Sequence, residues 1–257
     1  MKTSTTRSLK VETLENRELM ACNVSVSFSN GDLYITGDAS RNHVEVRQSS
    51  AGVYKITGQT IGGSATKVNG YANGTTTISN FSGNVWVSLG GGDDQLNFGT
   101  GDNRLISLPK GLSIDMGSGG DFLSIRDVKT TGNMSINTGT GVKDETHIYK
   151  ADVGGHLGIN DPGSVNNGDY DIATVNSCKV KGQLQFVFKG GNDSVDIIST
   201  AADSLYADLG AGNDYFRMNY TKPRLFTAIG GSGTDIFAVP DYNGTRFNGS
   251  GFETFRR

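Results

Sequence analysis

The chain has 257 residues, with 23 basic and 26 acidic side chains and a net charge of −3, a balance that excludes bulk electrostatic attraction to nucleic acid or an anionic membrane. Of the acids 20 are Asp and only 6 are Glu, beside 37 Gly and 21 Asn; these are turn formers, because short polar side chains bond the local backbone and Gly tolerates positive φ, so a mostly helical protein is excluded. No run of 18 apolar residues occurs, which excludes a membrane-spanning helix.

Residues 1–21 lack Gly and carry Lys2, Arg7, Lys10 and Arg17 together with Glu12, Glu15 and Glu18. They read as an appended export or targeting segment. Glu12, Glu15, Arg17 and Glu18 interrupt the apolar stretch of about 7 to 15 residues that an ordinary secretory signal needs. The run Leu14 to Ala21 (Leu-Glu-Asn-Arg-Glu-Leu-Met-Ala) resembles the Leu-Glu-x-Arg-x-Leu-Leu segment near the N-terminus of many predicted secreted or surface proteins of planctomycete bacteria, with Met20 in place of the second Leu. The resemblance implies export; an amphipathic helical tail is the alternative. Leu19-Met20-Ala21-Cys22 has the form of a lipoprotein processing site, but no apolar segment precedes it, so a lipid anchor is not expected. Cys22 and Cys178 allow one disulfide and form no metal or redox pair. An inert Cys178 in a strand-like stretch is expected.

Residues 22–80 are expected to form a β-rich N-terminal cap. Val24 to Phe28 and Leu33 to Ile35 flank Asn30-Gly31, a hairpin signal. Leu33 to Asp38 followed by Asn42 to Val46 has the shape of a worn repeat without its glycines.

From 81 to 257 a unit recurs: alternating apolar residues, a Gly-rich turn closed by Asp, and alternating apolar residues again. The clear copies have Gly90, Gly92 and Asp94; Gly117, Gly119 and Asp121; Gly191 and Asp193; Gly210, Gly212 and Asp214; and Gly231, Gly233 and Asp235. Two degraded copies lie between, closed by Asp144 and Asp169. The spacings are then 27, 23, 25, 24, 21 and 21 residues, a period that signals a solenoid. Period-2 alternation on both sides of the turn makes strands with every second side chain inward. The expectation is an all-β fold, a single-stranded parallel β-helix of about seven coils and roughly 30 to 35 Å. Its inward columns are Leu96, Leu123, Val195, Phe216 and Phe237, then Phe98, Ile125, Ile197, Met218 and Val239. Pro240 is expected to stop a strand, and Gly251 to Phe255 to form a closing one.

The turn Gly-x-Gly-x-Asp-x-apolar resembles the Gly-Gly-x-Gly-x-Asp-x-apolar-x nonapeptide of the hemolysin-type, or RTX, calcium-binding repeats. Lys189 stands where the Asp193 copy should have its first Gly. The resemblance implies Ca²⁺ bound between stacked turns by the Asp carboxylates and by carbonyls that the glycines free. It departs from the family in having one turn per coil of 21 to 27 residues in place of tandem nonapeptides, so one column of sites is expected. Ca²⁺ wants six to eight oxygens, more than one turn supplies. Carboxylates about 5 Å apart repel by roughly 3 kcal/mol per pair at an effective dielectric of 20, so a column needs a cation, protons or intervening Asn such as Asn192 and Asn213. The alternative is a set of metal-free Asx-type turns with solvated Asp side chains.

His43, His147 and His156 form no His-Glu-x-x-His pair, and no nucleophile elbow or phosphate loop is present. A β-helical polysaccharide lyase or carbohydrate-binding protein is the rival, with Arg104, Arg126 and Arg217 as candidate bases; their unequal offsets from the turn Asp give no common site. The reading is a secreted or cell-surface calcium-binding structural or adhesive repeat protein, without catalysis. Its expected partners are cell-wall or extracellular polysaccharide or a surface protein, with no nucleic acid.

Overall fold

The alternation of Val, Ile, Leu and Phe with polar residues is satisfied in the fold by burying one face of each strand. In a computed structural model, the structure describes residues 22–61, 63–99, 104–163, 169–239 and 247–256, and the described elements are all strands. The expected export segment and Pro240 lie outside the described residues.

The chain is a single-stranded parallel β-helix. Its first sheet stacks Asp32–Thr36, Val85–Ser88, Leu112–Asp115, Met134–Asn137, Leu157–Asn160, Lys179–Val187, Ala201–Asp208, Leu225–Ile229 and Phe247–Ser250 in parallel order. The second stacks His43–Ser50, Gln95–Phe98, Phe122–Arg126, Glu145–Tyr149, Ile172–Asn176, Ser194–Ile198, Tyr215–Asn219, Ile236–Ala238 and Thr254–Arg256. Each coil runs from the first sheet through a tight turn to the second. In the middle coils it returns through a short third face, made by Ile106–Leu108, Val128–Thr130 and Asp152–Val153. The pairing extends beyond the seven coils expected, because the worn repeat at 33–46 is a true rung: Leu33 pairs with Val85 and Val44 with Leu96. The solenoid thus begins inside the segment read as a cap.

What covers the first rung is antiparallel. Asn23–Ser29 pairs back on Asp32–Thr36 through Asn30 and Gly31, both at positive φ (52° and 87°) as a type I′ hairpin turn requires. Val53–Gly58 and Thr75–Ser79 continue the second sheet beyond His43–Ser50 in antiparallel order. The open edge that a solenoid end presents is so moved to short, polar strands.

The proposed inward columns are inward. Leu96 pairs with Leu123, Val195 with Phe216 and Phe216 with Phe237, while Phe98 pairs with Ile125 and Ile197 with Met218, and all are buried. Toward the C-terminal end the core becomes aromatic: the Phe216 ring lies 5.4 Å from Phe237 and 5.7 Å from Phe226, and Phe252 packs on Phe237 at 5.0 Å. Phe252 thereby covers the last rung, and the closing strand is Thr254–Arg256, somewhat later than the sequence reading placed it.

A second corner carries no glycine signal. Asp127, Lys150, Ser177, Ser199 and Tyr220 follow the second-sheet strands at φ between 48° and 57°, a conformation costing roughly 1 to 2 kcal/mol for a residue with a Cβ. Stacking recovers this, since the Asp127, Lys150, Ser177 and Ser199 amides each donate to the carbonyl closing the next coil's strand. Just inside this corner Cys178 is buried and free, its thiol pushed up to about 11 by burial, which suits the inert role expected. Replacing Phe216 with Ala removes the ring that stacks on both Phe226 and Phe237. The expected loss is about 3 to 5 kcal/mol, read as a lower urea midpoint with unchanged slope.

Candidate functional site

The Gly-rich turn between the sheets has to reverse the chain while leaving room for the coil below. Gly90, Gly92, Gly117, Gly119, Gly191, Gly210, Gly212, Gly231 and Gly233 all have positive φ, from 82° to 145°. At Gly212, φ is +145° and a Cβ would lie 1.3 Å from the Gly191 carbonyl oxygen, so neither the conformation nor the space admits a side chain. The turns stack by their own backbone: the amides of Ser118, Thr140 and Ser232 donate to the carbonyls of Gly90, Gly117 and Gly210. Those carbonyls, expected to serve an ion, already take part in turn stacking.

The turn aspartates point inward. Asp94 donates its backbone N–H to Oδ1 of Asp121 at 2.7 Å, Asp121 to Asp144 at 2.7 Å, and Asp144 to Asp171 at 2.7 Å. Asp171 then donates to Asp193 at 3.0 Å, Asp193 to Asp214 at 2.8 Å and Asp214 to Asp235 at 2.8 Å. Asn42 begins the series by donating to Asp94, and Glu253 ends it by accepting from Asp235. The seven aspartates are at most 3% exposed, and each keeps a buried Oδ2 with no hydrogen-bond partner. The alternative of solvated, splayed carboxylates is therefore excluded.

Two sequence assignments change. The ladder member of the fifth rung is Asp171, two residues beyond Asp169; Asp169 is buried beside the ladder and its Oδ1 accepts the Tyr170 amide. The signal was present, since the inward residue follows the ladder Asp by two positions and Ala173 is that residue. Asn192 and Asn213 are not interleaved with the carboxylates: they form a second, outer ladder, Asn192 Oδ1 accepting the Asn213 amide and Asn213 Oδ1 the Thr234 amide, both at 2.8 Å. Sequence reasoning also missed Asp161, whose carboxylate comes within 4.8 Å of Asp144 and Asp171.

Burial is the main force on these carboxyls, opposed by the amide each accepts. It pushes Asp94 and Asp214 up to about 8, Asp144 and Asp193 up to about 7, Asp121 up to about 6, and raises Asp161, Asp171 and Asp235 as well. Neighbouring carboxylates add to the rise at Asp94, Asp144 and Asp214. An unpartnered oxygen in such a place needs a proton or a hard cation. All-oxygen donors suit calcium or magnesium chemistry, but each regular turn offers one unpartnered carboxylate oxygen, so a calcium ion between two turns would draw its remaining ligands from carbonyls and water.

The arginines do not converge. Arg126 lies over the Tyr149 ring at 4.5 Å, and Arg217 pairs with Asp196, four rungs away from Arg126 along the second sheet. Arg104 borders a groove near Tyr54 and Phe81. His43 and His147 stand on the second sheet and His156 before Leu157–Asn160 of the first. In comparisons with known proteins, no family model, curated protein or solved structure matches this chain.

Two outcomes follow. Gly212→Ala forces a Cβ into the Gly191 carbonyl, and thermal unfolding should show a loss well beyond the roughly 1 kcal/mol of an average point substitution. For pH, the folded carboxyls titrate above their unfolded value near 3.8; the folded state binds more protons between the two values, so stability is full below about 4 and is lost as pH rises to about 8. Exposed Asp32, Asp93 and Asp203 are shifted downward, so their contribution changes only below about 4, outside this window. With chelator present, the melting temperature should fall steadily from pH 5 to pH 8.5; a flat or rising profile refutes the protonated ladder.

Proposed function

We propose that the protein is a structural or adhesive module that works outside the cell as a calcium-stiffened β-solenoid. The observation that carries this reading is the unbroken series of buried aspartates, one per coil from Asp94 to Asp235, each retaining an unpartnered carboxylate oxygen. A fold that places the same ionisable group in the wall of every coil couples its stability to whatever neutralises that group. Calcium at the Asp94/Asp121, Asp193/Asp214 and Asp214/Asp235 pairs would do so where the metal is abundant, as it is outside cells. The turn motif's likeness to hemolysin-type repeats and the Leu14 to Ala21 segment support the same direction.

The long parallel faces suit a role as spacer or as a surface for cell-wall polysaccharide or a surface protein. Binding to the folded rod alone stabilises it by RT ln(1 + [L]/Kd), about 2.7 kcal/mol per site at a hundredfold excess over Kd. For a chain of this size that corresponds to a rise of roughly 5 to 10 °C per site. Thermal scans at pH 7.5 with chelator, with millimolar calcium and with millimolar magnesium should show a rise specific to calcium. Equal curves in all three refute calcium stiffening.

A further inference from the structure

One inward column of the solenoid turns polar in two adjacent coils. The residue after a first-sheet strand hands its amide to the last strand residue of the next coil: Gly37 and Gly230 hold that position toward the ends, and Leu89, Met116, Phe188 and Leu209, all at most 2% exposed, fill the core from it between them. In two adjacent coils between them the column reads Thr138 and then Asp161, which is 2% exposed. An acid stands in this otherwise largely apolar column in the coil where the ladder passes from Asp144 to Asp171.

Asp161 faces those two ladder members. One carboxylate oxygen from each of Asp144, Asp161 and Asp171 lies within 4.8 Å of the other two. Their Oδ1 atoms are occupied, accepting the amides of Asp121, Gly163 and Asp144 respectively. All three Oδ2 atoms are fully buried with no hydrogen-bond partner, and among the described residues every ion pair lies elsewhere. Gly163 keeps the space beside them open: a Cβ there would sit 2.7 and 2.8 Å from the Asp161 oxygens and 2.9 Å from Asp169 Oδ2. The site thus has a third carboxylate, and a fourth beside it, where a regular turn pair has two.

We propose that Asp144, Asp161 and Asp171 together hold one divalent hard cation, of the size of calcium, inside the solenoid wall. The donors are oxygens only, which selects calcium-like ions over thiophilic metals. Calcium–oxygen bonds of 2.3 to 2.6 Å let two ligands across one ion stand roughly 5 Å apart, a span that covers this cluster. The site stands apart from the Gly-x-Gly-x-Asp pairs and does not need them to bind metal. A proton shared between Asp161 and Asp171 is the competing state.

Calorimetric calcium titration of the metal-stripped full chain tests it, with Asp161→Leu restoring the aliphatic column and Asp214→Asn addressing the turn pairs separately. The expected result is that Asp161→Leu loses one calcium equivalent, or binds it at least tenfold more weakly, while the same equivalent persists in Asp214→Asn. In chelator Asp161→Leu should melt above the unsubstituted protein, and calcium should reverse that order. If Asp161→Leu does not fold, Asp161→Asn keeps the shape, removes the charge and is read the same way. Unchanged stoichiometry and affinity in the Asp161 variant overturn the proposal, even if Asp214→Asn loses calcium and so upholds the turn sites. No calcium uptake by the unsubstituted protein overturns both and leaves the shared proton.

Discussion

The rest of the structure depends on the step from one coil's aspartate amide to the next coil's carboxylate. The separation between parallel rungs is about 4.8 Å, and an Asp side chain is just long enough to reach across it while staying inside the turn. The step repeats from Asn42 to Glu253 without a gap, so it sets the register of both sheets at the point where the chain passes between them. Part of the excess of Asp over Glu follows from this geometry, seven of the 20 aspartates being ladder members; the one Glu in the series, Glu253, caps its final step.

A ladder made this way has a built-in electrical problem. Each carboxylate spends one oxygen on an amide and leaves the other dry, and several of them raise one another's affinity for protons. A hydrophobic column in the same place would hold the coils together without any such demand. That the wall is acidic all the same ties the rod's rigidity to the ions or protons around it, and the added Asp161 concentrates the demand in one coil.

The two corners show different solutions to the same steric requirement. The Asp turn uses glycines at positive φ because the neighbouring turn's backbone occupies the place of a Cβ, as at Gly212. The opposite corner has room outward, so Asp127, Lys150, Ser177, Ser199 and Tyr220 accept the left-handed conformation with side chains intact. Tyr220, highly exposed, contributes little there beyond its backbone. The first corner was legible because Gly marks it; the second was not, because the strain is local and the compensation comes from amides one coil away.

The amino-acid sequence alone determined the strand faces, the Asn30-Gly31 hairpin, the coil period and the inward columns from Leu96 to Phe237, since period-2 burial and turn chemistry are local and repeat in register. It also marked which turns carry an aspartate. Only the tertiary structure decided that those aspartates face inward, that the solenoid begins at Leu33, and that Asp161 meets Asp144 and Asp171. Each of these is a relation between residues about 10 to 50 positions apart. Stacking at a fixed rise brings such residues together, and it depends on how many residues each coil loops out, which no local pattern records.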